Sequence, residues 1–198
     1  MGHVQLPQGK RIAVNLGTDF DAQSLWLGAF NKPSPSYMSR GEFGAEVGTP
    51  RLLELYDRFN VTTNWFTPGH TVDTFPDACR RIRDAGHELA LAYVTGGQAG
   101  MQDTETIYRR WKDIFDYAYE RVENPVYVSC VHPQIIGQAH HMLWYERLIE
   151  YIASKDGVWF ATCDQIADAW VDDDEDRALM ARDDVRGVEP APADSGWA

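Results

Sequence analysis

Short β-rich runs alternate with helix-patterned segments along most of this chain, and that alternation limits it to few folds. Ile12-Ala13-Val14-Asn15-Leu16 reads as a short buried strand. Thr49 as N-cap and Pro50 in the first turn open a helix with Leu52, Leu53, Leu55, Tyr56 and Phe59 on its apolar stripe. Val61 to Thr67 is strand-like and ends at Pro68-Gly69-His70. Phe75 to Ala85 is helical with Cys79 and Ile82 inward, stopped by Gly86, and His87 to Val94 is a third strand. Asp103 to Glu123 places Ile107, Trp111, Ile114, Phe115, Ala118 and Val122 at helical spacing. The β-rich Val126 to Val131 follows, then a helix from Met142 to Ser154 with Leu143, Leu148, Ile149 and Ile152 inward. Val158 to Thr162 is the last strand, and Asp164 caps a final helix through Trp170. Strands alternating with helices predict an α/β fold with a mostly parallel sheet and crossover helices.

Parallel α/β sheets present their functional groups at the carboxyl ends of the strands. Those ends carry Asp19 and Asp21, then His70, then the break after Val94, then His132, then Cys163-Asp164. Residues two apart in an extended segment face the same way, so Asp19 and Asp21 converge if the strand continues through Phe20. Such a carboxylate pair can divide labour between binding a metal and taking a proton from water, although Gly17, Thr18 and Asp19 are also ordinary turn residues. His132 stands where a strand exits to a loop, a position that favours function. His70 follows Pro68-Gly69 and reads equally as a turn residue. His87 begins its strand and so lies at the wrong end. Ala22 to Gly48, with four glycines, two prolines and Trp26, Phe30, Tyr37 and Phe43, reads as a long ordered lid.

Composition narrows the partners. The 198 residues suggest one domain, and 44% hydrophobic content can bury a sizeable core. A net charge of −12 argues against nucleic acid. Cys79, Cys130 and Cys163 lack CxxC spacing and fit reduced thiols. No apolar run approaches the ~20 residues of a membrane helix, and no leader-like segment begins the chain, so a cytoplasmic protein without membrane contact is expected. Residues 1–10 read as a lead, 11–171 as the domain, and 172–198, which opens on the acidic run Asp172 to Asp176, as a disordered tail.

Thr18-Asp19-Phe20-Asp21-Ala22 resembles the first motif of the NodB-like polysaccharide deacetylases, the carbohydrate esterase family 4 fold. The similarity continues through Ser39-Arg40-Gly41-Glu42-Phe43-Gly44, Val47-Gly48-Thr49-Pro50-Arg51, Pro68-Gly69-His70-Thr71, Ala85-Gly86-His87-Glu88-Leu89, Val131-His132-Pro133-Gln134 and Gly157-Val158-Trp159-Phe160-Ala161-Thr162. It is nearest to the peptidoglycan deacetylase-like and allantoinase-like branch. The resemblance implies a hydrolase of a non-peptide C–N bond, acting on an acetylated sugar or small amide through water activated by a divalent metal, usually zinc. It makes Asp19 the general base, Asp21 a metal ligand and His132 the general acid. Trp26, Arg40 and Glu42, from the lid, are the expected substrate contacts.

Two departures follow. The family places two ligand histidines after its Gly-His-Glu, whereas the aligned positions here are Ala92 and Gly96, which leaves His70 or His87 as substitutes. A complete (β/α) barrel takes ~250 residues, and this chain reads as shortened after about residue 97. The expected architecture is therefore an incomplete, distorted (β/α) barrel with about five strands, and its open sheet edges imply a homo-oligomer. The alternative to a hydrolase is an inactive deacetylase-like binding or partner subunit, or an internally deleted variant of an enzyme.

Overall fold

The computed structural model describes residues 2–90 and 103–171. The expected strand His87 to Val94 is seen only as far as Ala90. The glycine-broken stretch after it, the aligned positions Ala92 and Gly96, the shortening near residue 97 and the acidic tail lie outside the described residues.

The α/β expectation holds. The sheet comprises five strands, β2 (Ile12–Asp19), β3 (Asn64–Phe66), β4 (Glu88–Ala90), β5 (Val126–Val131) and β6 (Val158–Phe160), and every pairing within it is parallel. Among the described residues it does not close into a barrel. β2 is central: β5 runs along one edge from Ala13 to Thr18. The other edge is shared, with β6 beside Ile12–Val14 and β3 beside Thr18–Asp19. Where β6 and β3 part, Asn15 fills the gap. Its Nδ2 donates to Asn64 Oδ1 (2.9 Å) and Ala161 O (2.8 Å), and Cys163 N donates to the same Asn64 oxygen (2.7 Å). A polar residue inside an apolar strand thus links β2 to β3 and to the chain just after β6.

Helices α2 (Thr49–Arg58), α4 (Pro76–Asp84), α5 (Thr104–Arg121) and α7 (Ala139–Ala153) cover the sheet, with short α3 (Gly69–Thr74), α6 (Pro133–Ile136) and α8 (Cys163–Asp168) between them. The core joins β2 and Trp65 to Leu52, Leu55, Tyr56, Ile82, Phe115, Tyr145, Leu148 and Ile152. Thr18 Oγ1, Tyr56 OH and Tyr145 OH form a buried chain at 3.0 and 3.2 Å that supports the strand just before Asp19. Burial pushes the Tyr56 phenol up to about 12.

Several expectations are corrected. Ala22 to Gly48 is mostly helical: a π-helical turn at Leu25–Ala29, then α1 (Pro35–Phe43), which continues through a π-helical stretch, Gly44–Gly48, into α2. Thr49 is therefore inside a helix, its Oγ1 bonded to Gly44 O (2.9 Å), and is no N-cap. The N-cap of α8 is Thr162, in a reciprocal capping box with Gln165, rather than Asp164. Ile114 and Leu143, expected inward, are 60% and 67% exposed, on the flanks of stripes centred on Phe115 and Leu148, and Val122, 47% exposed, lies just past the end of α5 in extended conformation. The N-terminal lead holds β1 (His3–Val4), paired antiparallel with β7 (Trp170–Val171) where the last helix is expected to run on.

Candidate active site

The register Thr18↔Val131 sets Asp19 level with His132 on adjacent strands. Phe20 N bonds Phe66 O (2.8 Å), after which the chain turns at Ala22, whose φ is +47°. That turn aims Asp21 back at the strand ends. Its carboxylate oxygen Oδ2 lies 2.9 Å from His132 Nδ1, while Asp19 Oδ2 lies 3.7 Å from His132 Nε2. The imidazole thus stands between two carboxylates, one almost buried and one a third exposed. Asp21 is fixed through its backbone: its carbonyl accepts from Ser24 Oγ (2.5 Å) and Thr71 Oγ1 (2.6 Å).

Burial opposes a charged His132, but the hydrogen bond to Asp21 and the charges of Asp21 and Asp19 outweigh it and raise its pKa. Cys130 follows the same logic with the opposite result for its charge. Partial burial and the nearby carboxylates of Asp19 and Asp21 push the thiol up, so it stays protonated and poorly nucleophilic.

Glycines hold the two loops together. A Cβ on Gly41 would lie 2.6 Å from the backbone of Ala22 and Gln23, and one on Gly48 would lie 2.2 Å from Pro133 O. A Cβ on Gly137 would likewise collide with Gly48 Cα. Gly41, Gly44 and Gly48 form one helical face that touches the loop of Asp21 at one end and that of His132 at the other. In the sequence they look like helix breakers, since glycine is costly in helices. Their i, i+3, i+7 spacing is the signal for close backbone approach.

The other expected residues lie apart from this pair. Trp26 packs on Phe30 (5.6 Å) and Tyr37 (5.0 Å), with the Arg40 guanidinium over both Trp26 (5.7 Å) and Tyr37 (5.1 Å). Glu42 accepts from Gln23 Nε2 (3.1 Å), next to the Asp21 turn. His70 is exposed on α3, 3.5 Å from Thr74 Oγ1. His87 is buried against Tyr56 and Trp65, its Nδ1 accepting from Thr63 N (3.3 Å) just before β4, and burial lowers its pKa.

Neither histidine joins Asp21, and among the described residues no three His, Cys, Asp or Glu side chains are grouped to hold a metal. A protein zinc site normally takes three. The donor set therefore does not fit the divalent metal that the resemblance implies.

No family model matches the chain. Over 81 residues, 40% of its length, it is 46% identical to a peptidoglycan deacetylase of Helicobacter pylori, and over 91 residues, 43% of its length, it is 38% identical to a peptidoglycan deacetylase-like protein of Gibberella zeae. Those matches cover only 28% and 27% of the two relatives, so the chain spans under a third of each. In fold it is similar to a polysaccharide deacetylase structure from Mycobacterium smegmatis (TM-score 0.74, 20% identity, 91% of this chain and 95% of that one). It is also similar to an allantoinase structure (TM-score 0.70, 17% identity, 84% and 92% covered). By sequence stretch and by fold the chain resembles the NodB-like polysaccharide deacetylases, and its open sheet is that fold.

Proposed function

We propose that this chain is a polysaccharide deacetylase-like hydrolase that cleaves a non-peptide amide or acetamide C–N bond. The observation that carries this is the convergence of Asp19, His132 and Asp21 at the carboxyl ends of the adjacent parallel strands β2 and β5. The chemistry uses these groups alone. Asp19, the more exposed carboxylate, takes a proton from the water whose oxygen attacks the carbonyl carbon. His132, whose charged form the two carboxylates favour, gives its Nε2 proton to the departing nitrogen as the C–N bond breaks. The products are a carboxylic acid and an amine, and the proton on Asp19 passes to His132 to reset the pair. No step runs through a metal, because the donors do not fit one.

The relatives named for peptidoglycan and the allantoinase-like fold point to acetylated sugars and small cyclic amides. Three free cysteines support a cytoplasmic setting. No helix among the described residues is long and apolar enough to cross a membrane.

The incomplete donor set favours a second reading, a non-catalytic binding or partner subunit, which an internal deletion would also produce. Both are tested by incubating the purified chain with N-acetylglucosamine oligomers and with allantoin, measuring acetate or ring-opened product. Turnover that falls by about 10²-fold or more in His132→Ala and Asp19→Asn supports the hydrolase. Binding of either ligand by calorimetry without turnover favours the second reading.

A further inference from the structure

We infer that Asp21 serves this chain as the positioning residue of His132 rather than as a metal ligand, and that the site carries no metal. Its bearing on turnover rests on the hydrolase reading. Three observations lead there. The carboxylate is 4% exposed and already engaged, its Oδ2 accepting from His132 Nδ1 at 2.9 Å. Its backbone is held from a second direction, the carbonyl accepting from Ser24 N, Ser24 Oγ and Thr71 Oγ1, which fixes the point from which the carboxylate reaches His132. Among the described residues no further donors are grouped with it to hold a metal. Residues 91–102 contain no His, Cys, Asp or Glu, so the stretch that aligns with the family's ligands offers no imidazole, thiolate or carboxylate. Nor can His87 donate a lone pair from Nδ1, which is spent on Thr63 N.

The geometry gives the two ring nitrogens separate duties. Asp21 holds the Nδ1 proton, which fixes the ring and its tautomer. Nε2 is left facing Asp19 and the open end of the sheet, where a substrate nitrogen would arrive. A carboxylate that orients an imidazole acts by holding its tautomer and rotation, and changing it to an amide presents the wrong proton to the ring.

The test has two arms, both on the 198-residue chain. In the first, the wild-type protein is incubated with excess zinc chloride, dialysed against metal-free buffer, and its zinc counted by mass spectrometry. The expected result is well below one equivalent. In the second, long-range ¹H–¹⁵N NMR reads the neutral His132 tautomer in wild type and in Asp21→Asn. The expected result is a proton on Nδ1 in wild type and on Nε2 in the variant, whose carboxamide would donate to Nδ1. One equivalent of retained zinc overturns the inference, as does a tautomer that the substitution leaves unmoved. The zinc count needs no variant, so it stands even if Asp21→Asn folds poorly. A chain with the Nδ1 tautomer and no zinc that hydrolyses neither substrate class refutes the hydrolase reading alone.

Discussion

Two buried or half-buried histidines respond to pH with opposite signs. His132 has a raised pKa, so the stability it contributes is complete below the ordinary value of 6.5 and is lost as pH rises through the higher folded value. His87 has a lowered pKa because burial disfavours its charged form, so its neutral form is the folded one and stability is lost as pH falls below 6.5. Urea denaturation from about pH 5 to 9 separates them. Asp21→Asn should remove the alkaline loss of stability, and His87→Gln the corresponding part of the acid loss. An alkaline limb unchanged in Asp21→Asn would mean that His132 does not draw its charge from that carboxylate. The residue types at these positions are legible in the sequence. Their pairing is not, because Asp21 and His132 are 111 residues apart and meet only through strand register.

At the scale of the element, the helix from Pro35 to Arg58 clamps the two loops that bear the site. Its first half reads as a lid in the sequence because its glycines and prolines lower helix propensity. Contact with the Asp21 and His132 loops offsets that cost, and only a residue without a Cβ permits it. Gly48→Ala should destabilise the fold by about 1–3 kcal/mol through forced displacement of Pro133. Gly28, where an added Cβ would meet nothing within 4 Å and φ is ordinary, is the control. Gly28→Ala should be neutral or stabilise by up to about 1 kcal/mol. Equal urea midpoints for the two variants would remove the clamp. Helix α5 shows the limit of periodicity in another way: Asp103, read from the sequence as its first residue, caps it by accepting from Thr106 N (2.9 Å), and Ile114 from its apolar set faces solvent. Spacing finds the stripe, but its width depends on what packs against it.

For the whole molecule, the open sheet sets the expectation. On β5, Val126 and Val128 are 37% and 62% exposed on the face opposite the buried Tyr127 and Val131, and only one edge of the strand is paired among the described residues. Unpaired edges and apolar faces favour association. Light scattering on the eluting peak should therefore give a dimer or larger, and Val128→Lys should shift it toward the monomer. A well-folded wild-type monomer would count against the oligomer.

The alternation of β2 to β6 with α2, α4, α5 and α7, the parallel sheet, the strand-end positions of Asp19, Asp21 and His132, and the absence of ligand side chains at Ala92 and Gly96 are all readable from the chain as a string of residues. These are local properties, written in apolar periodicity and in the side chains themselves. Three-dimensional packing was needed to lay β5 against β2 and to pair His132 with Asp21 through Nδ1. It alone shows His87 spent in the core, and Gly41 and Gly48 as contact points rather than breaks. Each of these depends on which distant segments touch, and contact is set by packing of the whole chain.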